Sequence, residues 1–220
     1  MTSAAWAPNG ETFVIGSQDS EDALCVWNME NERVHRWQQE PNLRVHDLGI
    51  SPDGQRLVVL LDTRILVYDF VSREKLCEWS LGERDDDLKG TSLAISQDSQ
   101  RMLVSMNRNR IKLMVIDTGE VLQTFEGHKQ VDYIIRSTFG GAGENFVVSG
   151  SEGMLLTYKC AGRCTNCMLF VDSQIFIWRT NGYPVEILEA HKPGCVNAIA
   201  WNPRDPCMFA SAGDDHRVRM

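Results

Sequence analysis

The sequence is short of positive charge and of long apolar runs, and each shortage excludes something. Lysine and arginine number 22 against 30 aspartates and glutamates, a formal net charge of −8. A chain this acidic does not bind nucleic acid through bulk electrostatics, which needs a basic face. No stretch approaches the roughly 18 uninterrupted apolar residues of a membrane span, so no membrane partner is expected. The opening, MTSAAWAPNGETFV, has neither a basic n-region nor a continuous apolar h-region, so no signal peptide is expected. The seven cysteines are an odd number and mostly scattered. Without a secretory start, they are expected to be reduced thiols in the cytoplasm or nucleus. What the chain does have is 43% hydrophobic residues, enough for a sizeable core.

Those apolar residues recur in a repeat. Five segments align: SAAWAPNGETFVIGSQ from Ser3, HDLGISPDGQRLVVLL from His46, SLAISQDSQRMLVSM from Ser92, RSTFGGAGENFVVSGS from Arg136 and NAIAWNPRDPCMFASAG from Asn197. Each has an alternating apolar run, a turn rich in Pro, Asn, Asp or Gly, and a second apolar run, the pattern of a strand, a tight turn and a second strand. The turns centre on Pro8, Pro52, Gln97, Gly141 and Pro203, at intervals of 44, 45, 44 and 62 residues. A third strand follows in four repeats, closing on a large apolar anchor at Trp27, Tyr68, Ile116 or Trp178. A fourth follows that: RVHRWQ, KLCEWS, EVLQTFEGH and PVEILEAHKPG. Four short strands every 40–45 residues, with no convincing helix, are the signature of a β-propeller blade. The fold class is therefore all-β, a partial propeller of about four and three-quarter blades of four antiparallel strands. The repeats cover about 1–40, 41–87, 88–131, 132–194 and 195–220.

The segments resemble WD repeats. Gly127-His128 and Ala190-His191 stand where that family places its Gly-His pair, and Trp178 where it places the Trp of Trp-Asp. The resemblance implies a buried structural hydrogen-bond set in each blade: His128, Ser149, Asp172 and Trp178 in the fourth repeat, and His191, Ser211 and Asp215 in the fifth. The first three repeats lack most of this set and rest on the apolar pattern alone. Such a set is expected to fix strand order by satisfying buried polar groups, and it carries no catalysis.

The long fourth interval has a source. Joining Glu152 directly to Asp172 gives VSGSEDSQIFIW, which matches the fifth repeat position for position. Residues 153–171 therefore read as an insertion in a two-strand turn, and local disorder is expected there. The insertion holds Cys160, Cys164 and Cys167. As zinc ligands they are weak candidates, because a structural zinc wants four ligands, usually from two separated pairs, and the segment offers three. As a redox motif, Cys164-Thr165-Asn166-Cys167 lacks the helix N-terminus of a βαβ setting. A non-native or variant segment and a genuine family-specific loop are the other readings, and the apolar ends and the split turn favour a non-native or variant segment.

The first strand opens at Ser3 and Met220 falls inside a third strand, so a part of a larger propeller is expected. The strings NLRVHDLGISPDGQRLVVL, GTSLAISQDSQRMLVSM and VEILEAHKPGCVNAIAWNPRDPCMFASAGDDHRVRM are similar to the WD-repeat subunit of GID/CTLH-type E3 ubiquitin ligases. This resemblance implies a non-catalytic scaffold that helps assemble the ligase or recruits substrates, with other ligase subunits and substrates as partners, in cytoplasm or nucleus, and with no cofactor. A generic WD-repeat scaffold in another pathway and a propeller enzyme remain as alternatives. The enzyme is disfavoured because the innermost strands, Ala4–Trp6, Leu48–Ile50, Leu93–Ile95, Ser137–Phe139 and Ala198–Trp201, carry no repeated acid or histidine. The run Glu83-Arg84-Asp85-Asp86-Asp87 reads as a solvated loop, and Arg101, Arg108 and Arg110 as solvent-facing turn residues rather than a basic rim. Gly140-Gly141-Ala142-Gly143 opens no helix and is no phosphate loop.

Overall fold

A computed structural model describes residues 2–18, 22–37, 43–82, 88–130, 133–152, 154–158, 167–171, 173–192 and 194–220, with only the backbone described over 154–158 and 167–171. The chain divides into two compact units. The first takes in Met1–Asn107 and Ile111–Thr124, the second Arg108–Arg110 and Phe125–Met220.

The first unit is built from three antiparallel sheets, each following chain order. The first contains β1 (Ser3–Trp6), β2 (Thr12–Gly16), β3 (Leu24–Asn28) and β4 (Arg33–Arg36). The second contains β5 (Asp47–Ile50), β6 (Arg56–Leu60), β7 (Arg64–Asp69) and β8 (Lys75–Ser80). The third contains β9 (Gly90–Ile95), β10 (Arg101–Met106), β11 (Arg110–Val115) and β12 (Val121–Phe125), whose ends at Arg110 and Phe125 fall in the second unit.

The repeated turns form for a local reason. In the second sheet the Ser51 hydroxyl donates to Asp53 and to the Arg56 carbonyl, and accepts from the Arg56 N–H. Ser96 repeats every one of these bonds with Asp98 and Arg101 in the third. A Ser-x-Asp turn replaces the ladder bonds lost where the chain reverses.

Sheet packs on sheet through apolar strand faces. Val14, Leu24, Leu57 and Leu66 are fully buried between the first two sheets, and Val58, Leu60, Ile65, Met102 and Met106 between the second and third. Two tryptophans add a directional clasp. Trp37, just past β4, donates from Nε1 to the Arg73 carbonyl in the β7–β8 turn at 3.1 Å and packs on Tyr68 at 5.6 Å between ring centroids. Trp79 in β8 donates to the Ile116 carbonyl in the β11–β12 turn at 2.9 Å. Its indole lies over Gly119, where an added Cβ would meet ring atoms at 2.4 Å and where φ is +68°. Only glycine fits that turn without strain.

The same turn corrects one alignment. The bond from the Asp69 N–H to the Glu74 carbonyl recurs from Val115 to Glu120. The counterpart of Tyr68 is thus Met114, not Ile116, because Asp117 sits within the turn rather than at the strand end.

The second unit contains a sheet of β13 (Ser137–Gly140), β14 (Phe146–Gly150), β17 (Gln174–Arg179) and β18 (Pro184–Glu189), in that order, with a single 3₁₀ turn at Ala142–Glu144. Its last sheet has three strands, β19 (Val196–Trp201), β20 (Phe209–Gly213) and β21 (Val218–Arg219). Val148, Ile175, Val196 and Ile199 form the apolar contact between these sheets. β14 pairs directly with β17 from Phe146↔Arg179 to Gly150↔Ile175, so the ladder passes over the cysteine-bearing segment. Within that segment β15 (Met154–Tyr158) and β16 (Cys167–Val171) pair with each other as a separate antiparallel hairpin. Both ends of the segment, MLLTY and CMLFV, are rich in strand-forming apolar side chains, which favour pairing.

Candidate functional site

Three polar sets and the outer strands hold the chemistry of the chain. The fifth-blade set is complete apart from its missing Trp. His191 precedes β19, Ser211 lies in β20 and Asp215 in the β20–β21 turn. His191 Nδ1 lies 2.7 Å from Asp215 Oδ1, and Nε2 lies 2.9 Å from Ser211 Oγ. With Asp215 ionised, the Nδ1–H donates to the carboxylate and Nε2 accepts from the serine hydroxyl. Arg219 donates to the other carboxylate oxygen at 2.9 Å. Burial raises the Asp215 carboxyl, but the hydrogen bonds from His191 and Arg219 outweigh it and hold it down at about 2.

These atoms have the connectivity of a serine-hydrolase triad, yet the hydroxyl is out of reach. Ser211 is 3% exposed and His191 fully buried. A nucleophile has to meet its substrate, so this set serves the fold: three buried polar side chains satisfy one another and tie the chain before β19 to β20 and its turn.

The fourth-blade set is not closed among the described residues. His128 is buried against the rings of Trp178, at 5.8 Å, and Phe176, at 6.5 Å. Neither of its ring nitrogens has a hydrogen-bond partner among the described residues. Ser149 donates instead to the Gly150 carbonyl at 3.0 Å. Asp172 lies outside the described residues. Burial alone drives the His128 pKa from its ordinary 6.5 down to about 4. The physical difference from the fifth blade is the turn. There Gly213–His216 reverses tightly and carries Asp215, whereas here 153–171 opens the same turn. Beyond it Ser173 takes φ 136°, donates from its hydroxyl to the Gly194 carbonyl at 2.5 Å, and accepts the N–H groups of Ala190 and His191.

A third set was not legible as a motif. Asp47 opens β5 fully buried. Its Oδ1 accepts the Ser3 hydroxyl at 2.5 Å and its own neighbour Leu48 N–H, and its Oδ2 accepts the Leu93 N–H at 2.9 Å. One carboxylate thus joins the innermost strands of all three sheets of the first unit. The signal was present in the recurrence of Ser3, Asp47, Ser92 and Ser137 at intervals of 44 to 45, which the apolar pattern around them masked.

Among the described residues no group of three His, Cys, Asp or Glu side chains is placed to hold a metal. Cys160 and Cys164 lie outside the described residues, and Cys167 is described only as the first backbone position of β16. The acidic run 83–87 also lies outside them. Arg101 pairs with Asp98 within its own turn at 2.9 Å and Arg110 with Glu126 at 3.2 Å, while Arg108 stands exposed at φ 60°.

Some large apolar side chains also remain open to solvent. Tyr133 and Ile134 are exposed in the connection to β13, where the Tyr133 N–H bonds the buried Glu152 carboxylate at 2.6 Å. Val34, Leu76, Leu122 and Val185 stand exposed on the outermost strands. Their equivalent places on successive outer strands follow the repeat.

Comparison with known proteins bears this out. Residues 182–220 match the family described as "WD domain, G-beta repeat". The whole chain aligns at 33% identity with a "WD repeat-containing protein WDS homolog" of Arabidopsis thaliana, covering 38% of that protein. It aligns over its whole length at 30% identity with "GID complex subunit 7" of Schizosaccharomyces pombe, covering 39% of it, and over 99% of its length at 31% with an Arabidopsis "WD repeat-containing protein 26 homolog", covering 33%. The chain thus spans about two fifths or less of the length of these relatives. Repeats, sheets and relatives agree on an all-β chain of WD repeats, consistent with a β-propeller.

Proposed function

We propose that this chain is the scaffold part of a substrate-recruiting or assembly subunit of a GID/CTLH-type E3 ubiquitin ligase, acting in the cytoplasm or nucleus through contacts with other subunits and substrates. WD-repeat proteins are in general non-catalytic scaffolds, and the buried polar sets of this chain are consistent with that role, since their hydrogen-bonding capacity is directed into the fold. The observation that carries the ligase reading is the alignment, without loss of either end, to a protein named as a GID complex subunit. Degenerate repeats conserve little beyond their turn and core positions, so agreement across the whole chain speaks for shared ancestry rather than shared blade geometry.

The test is reconstitution. The chain, verified as folded by circular dichroism, is mixed with recombinant fission-yeast GID complex assembled without its subunit 7. Stable co-elution that excess unlabelled subunit 7 displaces is the expected result. A folded chain that elutes alone overturns the ligase reading and leaves a WD-repeat scaffold of another assembly.

A further inference from the structure

The four outermost strands can be superposed by one backbone bond. In each blade the N–H that closes the turn before the outer strand donates to the carbonyl of Glu32, Glu74, Glu120 or Tyr183. Counting from that residue, the second place holds Val34, Leu76, Leu122 or Val185, and the fourth holds Arg36, Glu78, Thr124 or Ile187. Three blades therefore alternate an acid, one apolar side chain and a polar one along their outer edge. The fourth blade alternates Tyr183, Val185 and Ile187, which are 67%, 44% and 51% exposed.

Charge follows the same division. Arg33 and Arg36 reach Asp22 beside β4, and Arg64 and Lys75 hold Glu78 on β8. On β18 Glu186 is exposed and forms no ion pair among the described residues, and Glu189 is held only by Lys192, three residues on. Arg179, at the end of β17, is the other basic side chain of this region and has no ion pair among the described residues either.

Exposed outer strands present a row of unpaired N–H and C=O groups, and charged side chains along them normally deter pairing with a further strand. β18 is the terminal strand of its sheet, and its own charges are two glutamates, Glu186 and Glu189, which deter an acidic strand but not a basic one. We propose that the outer edge of β18 is a docking site for an extended strand of a partner protein, apolar at alternate positions and basic between them, which adds to the sheet. Main-chain bonds supply the register, and Tyr183, Val185 and Ile187 supply the apolar contact. The unpaired Glu186 and the net charge of −8 select a basic strand. They also disfavour a second copy of this chain, which carries the same net charge of −8. The proposal is independent of which assembly the chain serves.

The probe is a short fluorescein-labelled peptide alternating Val and Lys, with a Val–Glu peptide as its counterpart. Saturable binding of the Val–Lys peptide to the full chain is expected. It should weaken by about tenfold or more in a Tyr183→Glu/Ile187→Thr variant, which gives β18 the pattern of the other blades, and remain unchanged in Leu76→Ser on β8. Backbone amide exchange on the unaltered chain provides a second measurement that needs no variant: the peptide should protect amides in Val185–Glu189. Binding that survives the double substitution, binding of the acidic peptide with equal strength, protection confined to other strands, or no binding at all overturns the proposal. Concentration-dependent dimerisation lost in the same variant assigns the edge to a second copy and overturns the choice of partner.

Discussion

His128 and His191 stand at the same place in successive repeats, each buried before the first strand of a sheet, and they differ in what surrounds them. His191 has a hydroxyl on one nitrogen and a carboxylate on the other. His128 has the rings of Phe176 and Trp178 against it and, among the described residues, a hydrogen-bond partner on neither nitrogen. The sequence motif is nearly identical, Gly-His against Ala-His, so the motif alone does not create the network. The turn that delivers the aspartate does. In the fifth blade the tight turn closes the set; in the fourth, burial and ring contacts are what the described residues give the histidine.

The comparison is broken most strongly at the closed set. His191→Leu takes the partner from the buried Ser211 hydroxyl and from one oxygen of Asp215, whose other oxygen Arg219 still holds, and is expected to be the most destabilising of these changes in urea unfolding. Asp47→Ala, which orphans Ser3 and two backbone N–H groups at the innermost strands, should cost about 3 kcal/mol in the same assay.

Acid sharpens the contrast. The His128 pKa lies near 4 in the folded chain against an ordinary 6.5. The unfolded chain therefore takes up the proton first, and the stability this neutral histidine contributes is complete above pH 6.5. It is lost as the pH falls from 6.5 to 4, by about 3 kcal/mol in total. Unfolding free energies measured across that window should flatten in His128→Leu.

A smaller effect belongs to the turn under Trp79. Gly119→Ala forces a side chain into the indole at a positive φ and should cost about 2 kcal/mol by thermal or urea unfolding. The smallest effect completes the comparison. At neutral pH His128→Leu removes no hydrogen bond and is expected to change stability by less than about 1 kcal/mol, in the stabilising direction. A large loss there would mean that His128 has a partner after all.

The blades were legible because their signals are local. Ser51-x-Asp53 and Ser96-x-Asp98 fold their own turns, and the alternating runs on either side decide which face is buried. Trp178 and the His191 set were legible because their residue types and order are fixed within one repeat and its neighbour. Three features were not. Asp47 works across three strands that are far apart in sequence, and a lone acid in an apolar run carries no spacing signature. Met114 was passed over for Ile116 because turn length shifts the frame and only the backbone bond at Val115 restores it. The bonding of the fourth set could not be read at all, since His128, Ser149 and Trp178 are all present, yet among the described residues the Ser149 hydroxyl turns to the Gly150 carbonyl and not to the histidine.

The tryptophan clasps make order of synthesis matter within the first unit. Trp37 and Trp79 each grip a carbonyl that belongs to the following sheet, Arg73 and Ile116. Each sheet therefore leaves the ribosome with an open hook and no eye to receive it, and is fastened only when the next sheet has made its outer turn. Damage consequently travels backwards. A lesion in the turn at Gly119 loosens Trp79 in the sheet made before it, so a fault late in this stretch of chain is felt in a part already folded.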